Sequence, residues 1–506
     1  MTGELTWFDV GRTDMIDVDE VTVVQAGHHA IALSRTAVGW GAITNRCPHQ
    51  GGPLGEGLVE DCWLICPWHG WEYDPVSGET PGPFDDKVDA YAVDIRGDRV
   101  FVGVSEPEHH DVTFMTQLVG RLTDAGVTAV FGMVGHSNLG FADALRGAER
   151  NGDLRYVGIR HEGAAAFAAS AYGKLTGDPA VCFAIAGPGA TNLYTGMWDA
   201  KLSSTPLLAI TGQIPTPNLG TKAFQEVPLT AALGPVAGWS KRLSASDGPD
   251  TATAMVTYAR SQRDVAHLVI PDDVQSLPAT SDSPRGPSPT PNTLPLTPTD
   301  ASSIARLLSE SVSPLFVIGR GGSRHAGDIL ALAEKVDAAV ATTFPAKGSV
   351  PEHHPLATGV LGRSGTPVSA ASQTRSDLIV VFGGGMAPHT GITEKRTVVR
   401  IDVDPLASRR NTHNVEVFAL ADAGEAARTL LGVVPAVDRP ELRSWLASRW
   451  EWWRERKRSR REIDADGRLT SAAVFDDLGK HIPPHAIVAL DVGNTTYSFG
   501  RYFEAD

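Results

Sequence analysis

Two short segments, Cys47-Pro48-His49 and Cys66-Pro67-Trp68-His69, constrain this chain more than any other feature. Each joins one thiol to one imidazole, and together they read C-x-H-x16-C-x2-H. Thiolate and imidazole are donors that transition metals select. A fold carrying this pattern has to bring two loops face to face around one centre. Structural zinc sites more often divide their donors as C-x2-C and H-x3-5-H, whereas here each half-site carries one of each kind.

The flanking residues, CPHQGGPL and CPWHGWEYDPVSGE, resemble the two cluster loops of Rieske ferredoxins. The resemblance implies an all-β domain over residues 1–105. It would hold a 2Fe-2S cluster with one iron on Cys47 and Cys66 and the other on His49 and His69. Imidazoles in place of two thiolates remove negative charge and raise the reduction potential, and such a centre moves electrons singly. Gly51, Gly52 and Gly70 would let backbone N–H groups approach the sulfurs. Respiratory versions carry an extra cysteine in each loop, and Gly52 and Trp68 stand there instead, which implies the low-potential ferredoxin or oxygenase type. Cys62 lies outside both loops and Cys182 falls in the apolar run AVCFAIA; both are expected to be buried thiols.

At 506 residues the chain has room for roughly three or four domains. Its four cysteines form no disulfide framework, which points to a reducing cytoplasm. The N-terminus lacks a secretory pattern, and no apolar run reaches the length of a spanning helix. A formal net charge of −15 disfavours nucleic acid and anionic membranes as partners and favours small molecules and proteins. One basic run, Arg454 to Arg461, follows Trp445, Trp450, Trp452 and Trp453 at helical spacing, predicting an amphipathic helix docked by its indoles with a solvated basic face.

Beyond Thr113 the texture changes. Met115, Leu118, Val119 and Leu122 recur at helical spacing, followed by the short strand TAVFG and then alternating helices and buried strands such as AVCFAIA and PLLAITG. Such alternation predicts parallel sheets covered by helices. The expected division is an α/β domain over 112–280, a Pro-rich linker over 281–298, a second α/β domain over 299–435, a Trp/Arg-rich helical linker over 436–468, and the opening of a third α/β domain, strand AIVALDVG included, over 469–506.

Residues 113–506 resemble the thiamine-diphosphate enzymes of the pyruvate oxidase and acetolactate synthase group. The motifs are VFGMVGHSNL, RHEGAAAFAASAYGKLTG, AGPGATNLYTGMWDAKLSSTPLLAITGQ, GTKAFQEV, PEHHPLATGVLG, RIDVDP and ALDVGN, in the family's order. The resemblance implies thiamine diphosphate as cofactor, with Glu162 as the carboxyl that activates it. Gly187, Pro188 and Gly189 would form a turn near the active site, Phe224 and Gln225 would lie beside cofactor and substrate, and His136 would face the substrate or else cap a helix. It further implies FAD in the central domain, with Gly319, Gly321 and Gly322 approaching the dinucleotide and Asp402 taking a ribose or ribityl hydroxyl. Gly493 and Asn494 match backbone that approaches the diphosphate.

The family's Gly-Asp-Gly sequence and later Asn, which hold Mg2+, are not found here. A partner chain carrying the diphosphate domain, in a homo- or hetero-oligomer, or a shortened chain would each account for this, and a lone first strand is expected to be poorly ordered. The leading expectation is a decarboxylating 2-oxo acid oxidoreductase, pyruvate by default, with FAD and the Rieske cluster as electron outlet to an unidentified acceptor. The alternatives are an acetolactate-synthase-like carboligase with structural FAD, or an electron-transfer subunit without turnover of its own. No D-x2-H-x4-H-like segment offers a mononuclear iron site, which argues against a Rieske oxygenase.

Overall fold

The computed structural model describes the chain apart from residues 1–4, 28, 50, 83–85, 105–111, 245, 280–292, 411–413, 462–466, 484 and 506. It divides into two units, residues 1–289 and 290–506. Most of the expected linker 281–298 lies outside the described residues.

The first unit opens with nine short strands: β1 (Thr6–Arg12), β2 (Glu20–Ala26), β3 (His29–Thr36), β4 (Gly39–Thr44), β5 (Leu58–Glu60), β6 (Trp63–Ile65), β7 (Glu72–Tyr73), β8 (Ala92–Arg96) and β9 (Arg99–Val104). They form three antiparallel sheets, ordered β1-β9-β8, β2-β3-β4 and β5-β6-β7. Ile31, Leu33, Val100 and Val102 form the core of the outer strands. Ala32, Ile43, Leu54, Leu64 and Tyr73 pack a second small core directly around Cys47 and Cys66. Cys62 sits at the β5–β6 turn with φ 66° and is half-buried, not buried as the sequence suggested, because a hairpin turn this tight holds its side chain near the surface.

The same unit continues with a six-stranded parallel sheet: β10 (Ala129–Gly132), β11 (Arg155–Gly158), β12 (Ala180–Ala184), β13 (Leu207–Gln213), β14 (Trp239–Arg242) and β15 (Val265–Pro271). β12, β13 and β15 are buried along their whole lengths, as expected for central parallel strands covered on both faces. Cys182 is fully buried on β12, and burial pushes its thiol up to about 12. The order β11-β10-β12-β13-β15-β14 reverses direction between β10 and β12. The crevice outside the carboxyl ends of strands at such a reversal is where α/β sheets bind ligands.

The second unit contains another six-stranded parallel sheet, β16 (Pro314–Ile318), β17 (Ala339–Thr342), β18 (Ala357–Val360), β19 (Leu378–Phe382), β20 (Thr397–Asp402) and β21 (Val415–Leu420), ordered β18-β17-β16-β19-β20-β21. Its first helix, Pro298–Glu310, starts at the last proline of the Pro-rich stretch, with the Thr297 side chain capping it through Asp300 N–H.

Two expectations require correction. Helix Pro440–Ser459 is not a linker: Leu442, Leu446, Trp450 and Trp453 belong to the same core as β16 and β19, and Trp450 donates its indole N–H to Ala357 O at 2.7 Å. Trp452, by contrast, is exposed. The strand expected at AIVALDVG is absent: residues 486–493 form neither helix nor strand, and Ile487 and Val492 are 77% and 91% exposed. A strand gains its hydrogen bonds from neighbours, and no described strand pairs with this segment. The residues beyond it do dock, however. Helix Asn494–Tyr502 buries Phe499 against Phe475, and Phe503 joins that cluster.

Candidate functional sites

The first site lies where the β4–β5 connection meets the β6–β7 loop. Cys47 N donates to Gly52 O at 2.9 Å and Cys66 N to Trp71 O at 2.7 Å, so both half-sites are closed turns. Gly51 and Gly70 take the positive φ that these turns need. A Cβ on Gly52 would stand 2.8 Å from Cys66 Sγ, so the two loops abut and only glycine leaves room there. The two thiols are buried, at 1% and 2% exposure, while His49 and His69 are exposed with ring centroids 4.6 Å apart. Among the described residues no three His, Cys, Asp or Glu side chains gather as one metal ion would require. A centre with two donors on each of two irons needs only pairs, and a thiol pair inside with an imidazole pair at the surface fits it.

Sequence reasoning missed two supporting residues. Trp71 stacks on His49 at 5.0 Å. Tyr73 Oη lies 3.2 Å from Cys47 Sγ, and towards a ligating thiolate the phenol O–H is the donor. Burial first, then the hydrogen bond to Cys47 and the charges of both cysteines, holds the Tyr73 proton well above the usual phenol range. Hydrogen bonds to cluster sulfurs raise reduction potentials. Tyr73→Phe is therefore expected to lower the potential by on the order of tens of millivolts. A redox titration of the cluster giving an unchanged or higher value would show that this bond does not tune it.

The second site is at the sheet reversal. Glu162 begins the helix Glu162–Thr176, capped by His161, and is 6% exposed. Its Oε2 accepts from Asn192 Nδ2 at 3.0 Å, and its Oε1 would lie 3.1 Å from a Cβ placed on Gly189. Gly187, with φ 66°, turns the chain from β12 into the short helix Pro188–Asn192, which carries Gly189 and Asn192 back to Glu162. A Cβ on Gly187 would stand 2.9 Å from Cβ and O of Gln225, itself at φ 64°. Gln225 Oε1 is buried without a hydrogen-bond partner. Glu162, Gly187, Pro188, Gly189 and Gln225 thus converge, although more than sixty residues separate the first from the last.

Two expected members behave differently. Phe224 is 84% exposed beside Gln225. His136 is exposed on the loop after β10 and caps nothing: Gly135 is the cap, held by Asn138 Oδ1 accepting its N–H at 2.9 Å. Burial pushes the Asp272 carboxyl up, and positive charge at His136 and Arg46 opposes that shift. Ser137, unmarked in the sequence, ties the two reversal loops together: its Oγ accepts from Ala186 N at 2.9 Å and its carbonyl from Gln275 Nε2 at 2.8 Å.

In the second unit the glycines expected to cradle a dinucleotide are occupied by protein. A Cβ on Gly319 would meet Gly384 Cα at 2.3 Å, on Gly321 Gly383 O at 3.0 Å, and on Gly322 Phe382 O at 2.7 Å. They are glycines because two backbone turns cross at the β16/β19 reversal. Asp402 is likewise engaged, accepting from Arg400 Nη2 at 2.8 Å and Asp404 N at 3.1 Å. The Cβ sides of these glycines thus face protein, and Asp402 is held by its own neighbours. An open cleft of about 510 Å3 lies elsewhere on this unit, lined by Gly362, Arg363, Pro388, His389 and Gly391. Gly493 and Asn494 are exposed at the start of the helix Asn494–Tyr502.

Among the described residues no helix is long and apolar enough to cross a membrane. The structure therefore combines an antiparallel β module presenting a thiol–imidazole metal site with parallel α/β layers carrying a buried carboxyl at a sheet reversal. Family comparison gives these parts names. Residues 6–92 match the Rieske 2Fe-2S domain, 112–233 the thiamine pyrophosphate enzyme N-terminal TPP binding domain, and 301–430 the thiamine pyrophosphate enzyme central domain. YdaP of Bacillus subtilis, named for containing thiamine pyrophosphate, is 31% identical over 397 residues, covering 77% of this chain and 67% of that protein. An acetolactate synthase large subunit of Parasynechococcus marenigrum is 32% identical, covering 74% and 63%. Acetolactate synthase 1 of Nicotiana tabacum is 34% identical, covering 58% and 45%. The chain belongs to the thiamine pyrophosphate enzyme family and carries a Rieske domain before the family's N-terminal and central domains. It spans 45% to 67% of the lengths of these three relatives.

Proposed function

We propose that this chain is the Rieske-bearing part of a thiamine-diphosphate-dependent 2-oxo acid oxidoreductase that decarboxylates pyruvate or a close analogue. Its electrons would leave through the cluster held by Cys47, His49, Cys66 and His69. One observation carries the reading: a site built for single-electron transfer shares a polypeptide with a buried carboxyl cradle that needs no electron carrier for carboligation alone. Bound thiamine diphosphate supplies the electron sink needed to cleave the bond beside a 2-oxo group.

The chain's own residues do the rest. Glu162 holds and returns a proton at the cofactor's pyrimidine side, and Asn192 orients it through Oε2. The Gly187–Gly189 turn leaves room that a side chain would fill, and Gln225 offers its orphaned oxygen to a donor on cofactor or substrate. His136 and Phe224 line the approach from solvent. FAD as a two-electron acceptor belongs to the proposal, with the Gly319–Gly322 turn and Asp402 as the residues that would approach it, and no step is routed through it. Gly493 and Asn494, both exposed, are proposed to approach a cofactor diphosphate, with Mg2+ ligands borne by a partner. Oligomeric assembly and a partner bearing those ligands are part of the same reading.

The named relatives favour a second reading, an acetolactate-synthase-like carboligase in which the Rieske domain is regulatory. Anaerobic addition of pyruvate to protein reconstituted with its cluster, thiamine diphosphate, Mg2+, FAD and a partner bearing the Mg2+ ligands separates the two. The oxidoreductase reading expects bleaching of the cluster spectrum, with one carbon dioxide released for each pair of electrons. Carbon–carbon bond formation with an unchanged spectrum would establish the carboligase instead.

A further inference from the structure

The charge of this chain is unevenly spread. Residues 1–104 hold 17 Asp and Glu against 6 Lys and Arg, so the β module carries −11 of the total −15. Its few cations are already engaged. Arg12 pairs with Asp14 and Asp98, Lys87 with Glu79, Arg96 with Asp94 and Arg99 with Asp9, while Arg35 Nη1 donates to the carbonyls of Thr13 and Ile16. Arg46, the cation next to Cys47, acts on Asp272 of the α/β layer. Glu56, Glu60, Asp61, Glu72 and Asp89 stand exposed and outside these pairs. The module thus presents negative charge that its own cations do not neutralise.

The imidazole edge of the metal site lies on the surface of the same module. His49 and His69 are exposed, and so are Pro48, Pro67 and Gly70 around them. Trp68 is 57% exposed, a large apolar ring set edge-on to His69 with centroids 6.5 Å apart. It has a fixed seat, since a Cβ on Gly52 would come within 3.3 Å of the indole. The register Leu58↔Ile65↔Glu72 places exposed Leu58 and Glu72 on either side of Ile65, the residue before Cys66. Glu56 ends the short turn Leu54–Glu56 that follows the first loop. Transient protein interfaces are small, with an apolar centre that makes the contact and rim charges that steer the encounter. Trp68 and the imidazoles supply such a centre, and Glu56 and Glu72 such a rim.

We propose that Trp68, His49 and His69 form a docking face for a protein electron carrier whose own contact surface is basic, given the cluster's proposed role as electron outlet. Charge selects this occupant over a second copy of the chain, because two β modules would meet with −11 against −11. In each encounter the reduced cluster, with one ferrous and one ferric iron, passes one electron to the carrier's oxidised centre and returns to two ferric irons. No bond or proton moves. Two encounters clear the electron pair released with each carbon dioxide.

The test takes the full chain with its cluster reduced by dithionite, so that it does not depend on 2-oxo acid chemistry. Failure here leaves the oxidoreductase reading standing, and failure of pyruvate to bleach the cluster leaves the docking face standing. The probe is cytochrome c, a basic one-electron haem protein, and the control is succinylated cytochrome c, the same haem protein with its lysines converted to carboxylates. In stopped flow at low salt the native form should oxidise the cluster at least about tenfold faster than the succinylated form, and its rate should fall steeply as salt is added. Glu72→Lys should slow the native form and speed the succinylated one. Glu20→Lys makes the same change in net charge at the start of β2, opposite Arg35 and at the far end of the sheet from the loop that leaves β4, and should change both rates far less. Trp68→Ala should slow the native form by about tenfold, with the absorption and potential of the cluster unchanged. Equal rates for the two cytochromes at low salt would overturn the proposal. So would equal effects of Glu72→Lys and Glu20→Lys, or an unchanged rate in Trp68→Ala. A rate that falls as the chain is concentrated and recovers with salt would show the face closed by a second copy, and overturns it too.

Discussion

Glu162→Gln is expected to lower 2-oxo acid turnover by roughly 10²- to 10⁴-fold, the range that a positioned proton carrier contributes, while the cluster spectrum stays as it is. The amide has the carboxylate's shape and can still accept from Asn192 Nδ2, so the helix start and the Pro188–Asn192 turn should survive. What it cannot do is take up and return a proton. Thiamine diphosphate binding, followed by calorimetry, should therefore change far less than turnover. Asn192→Ala removes only the orienting contact and should cost less than the Gln variant. Turnover of Glu162→Gln equal to that of the parent protein would remove Glu162 from the proposed chemistry. A lost cluster spectrum would mean instead that the substitution had damaged the fold.

Cys66→Ser should abolish the cluster, with bound iron and visible absorption lost by more than the roughly 10- to 100-fold that second-shell changes cost at metal sites. Cys66 is 2% exposed and its sulfur lies 2.8 Å from where a Cβ on Gly52 would stand, inside the closed pair of loops. Cys62→Ser is the control: it lies only four positions away, but at the half-buried β5–β6 turn, and should leave iron content unchanged. Because metal binding couples to folding, Cys66→Ser should also lower the melting temperature of the β module, by about 4–8 °C for each kcal/mol of lost binding. Iron retained in Cys66→Ser but lost in Cys62→Ser would reassign the ligand.

The proposed cluster ligands stand out in the sequence because they are local. Two loops, each with one thiol and one imidazole at fixed spacing, need little beyond their own turns to present them, and the glycines of those turns sit in the sequence beside them. Glu162 stands out as a candidate only through its neighbours, since a glutamate opening a helix is ordinary. Asn192, Ser137 and Tyr73 were not, because each acts through a partner distant in sequence: Asn192 through Glu162, Ser137 through Ala186 and Gln275, and Tyr73 through Cys47. No pattern along the chain marks a hydroxyl or an amide for such a task.

The glycines of the second unit are legible only in part. A Gly-rich turn after a parallel strand reads as a cradle for a dinucleotide, yet Gly319, Gly321 and Gly322 make room for Gly383, Gly384 and Phe382. Sequence shows that the backbone must be approached closely, and only the fold shows by what. The Trp-rich helix makes the same point: its indole spacing announced a docked face, but not that it would close the core of the second unit.

By itself, then, the sequence determined which thiols and imidazoles are the candidate cluster donors, the alternation that makes two parallel sheets, and the family to which the chain belongs. These depend on residue types at short, fixed separations. Tertiary structure alone decided which carboxyl is buried at the β10/β12 reversal and which glycines are filled by protein. Each of those is set by side chains or backbone far apart along the chain, brought together by burial of the apolar faces between them.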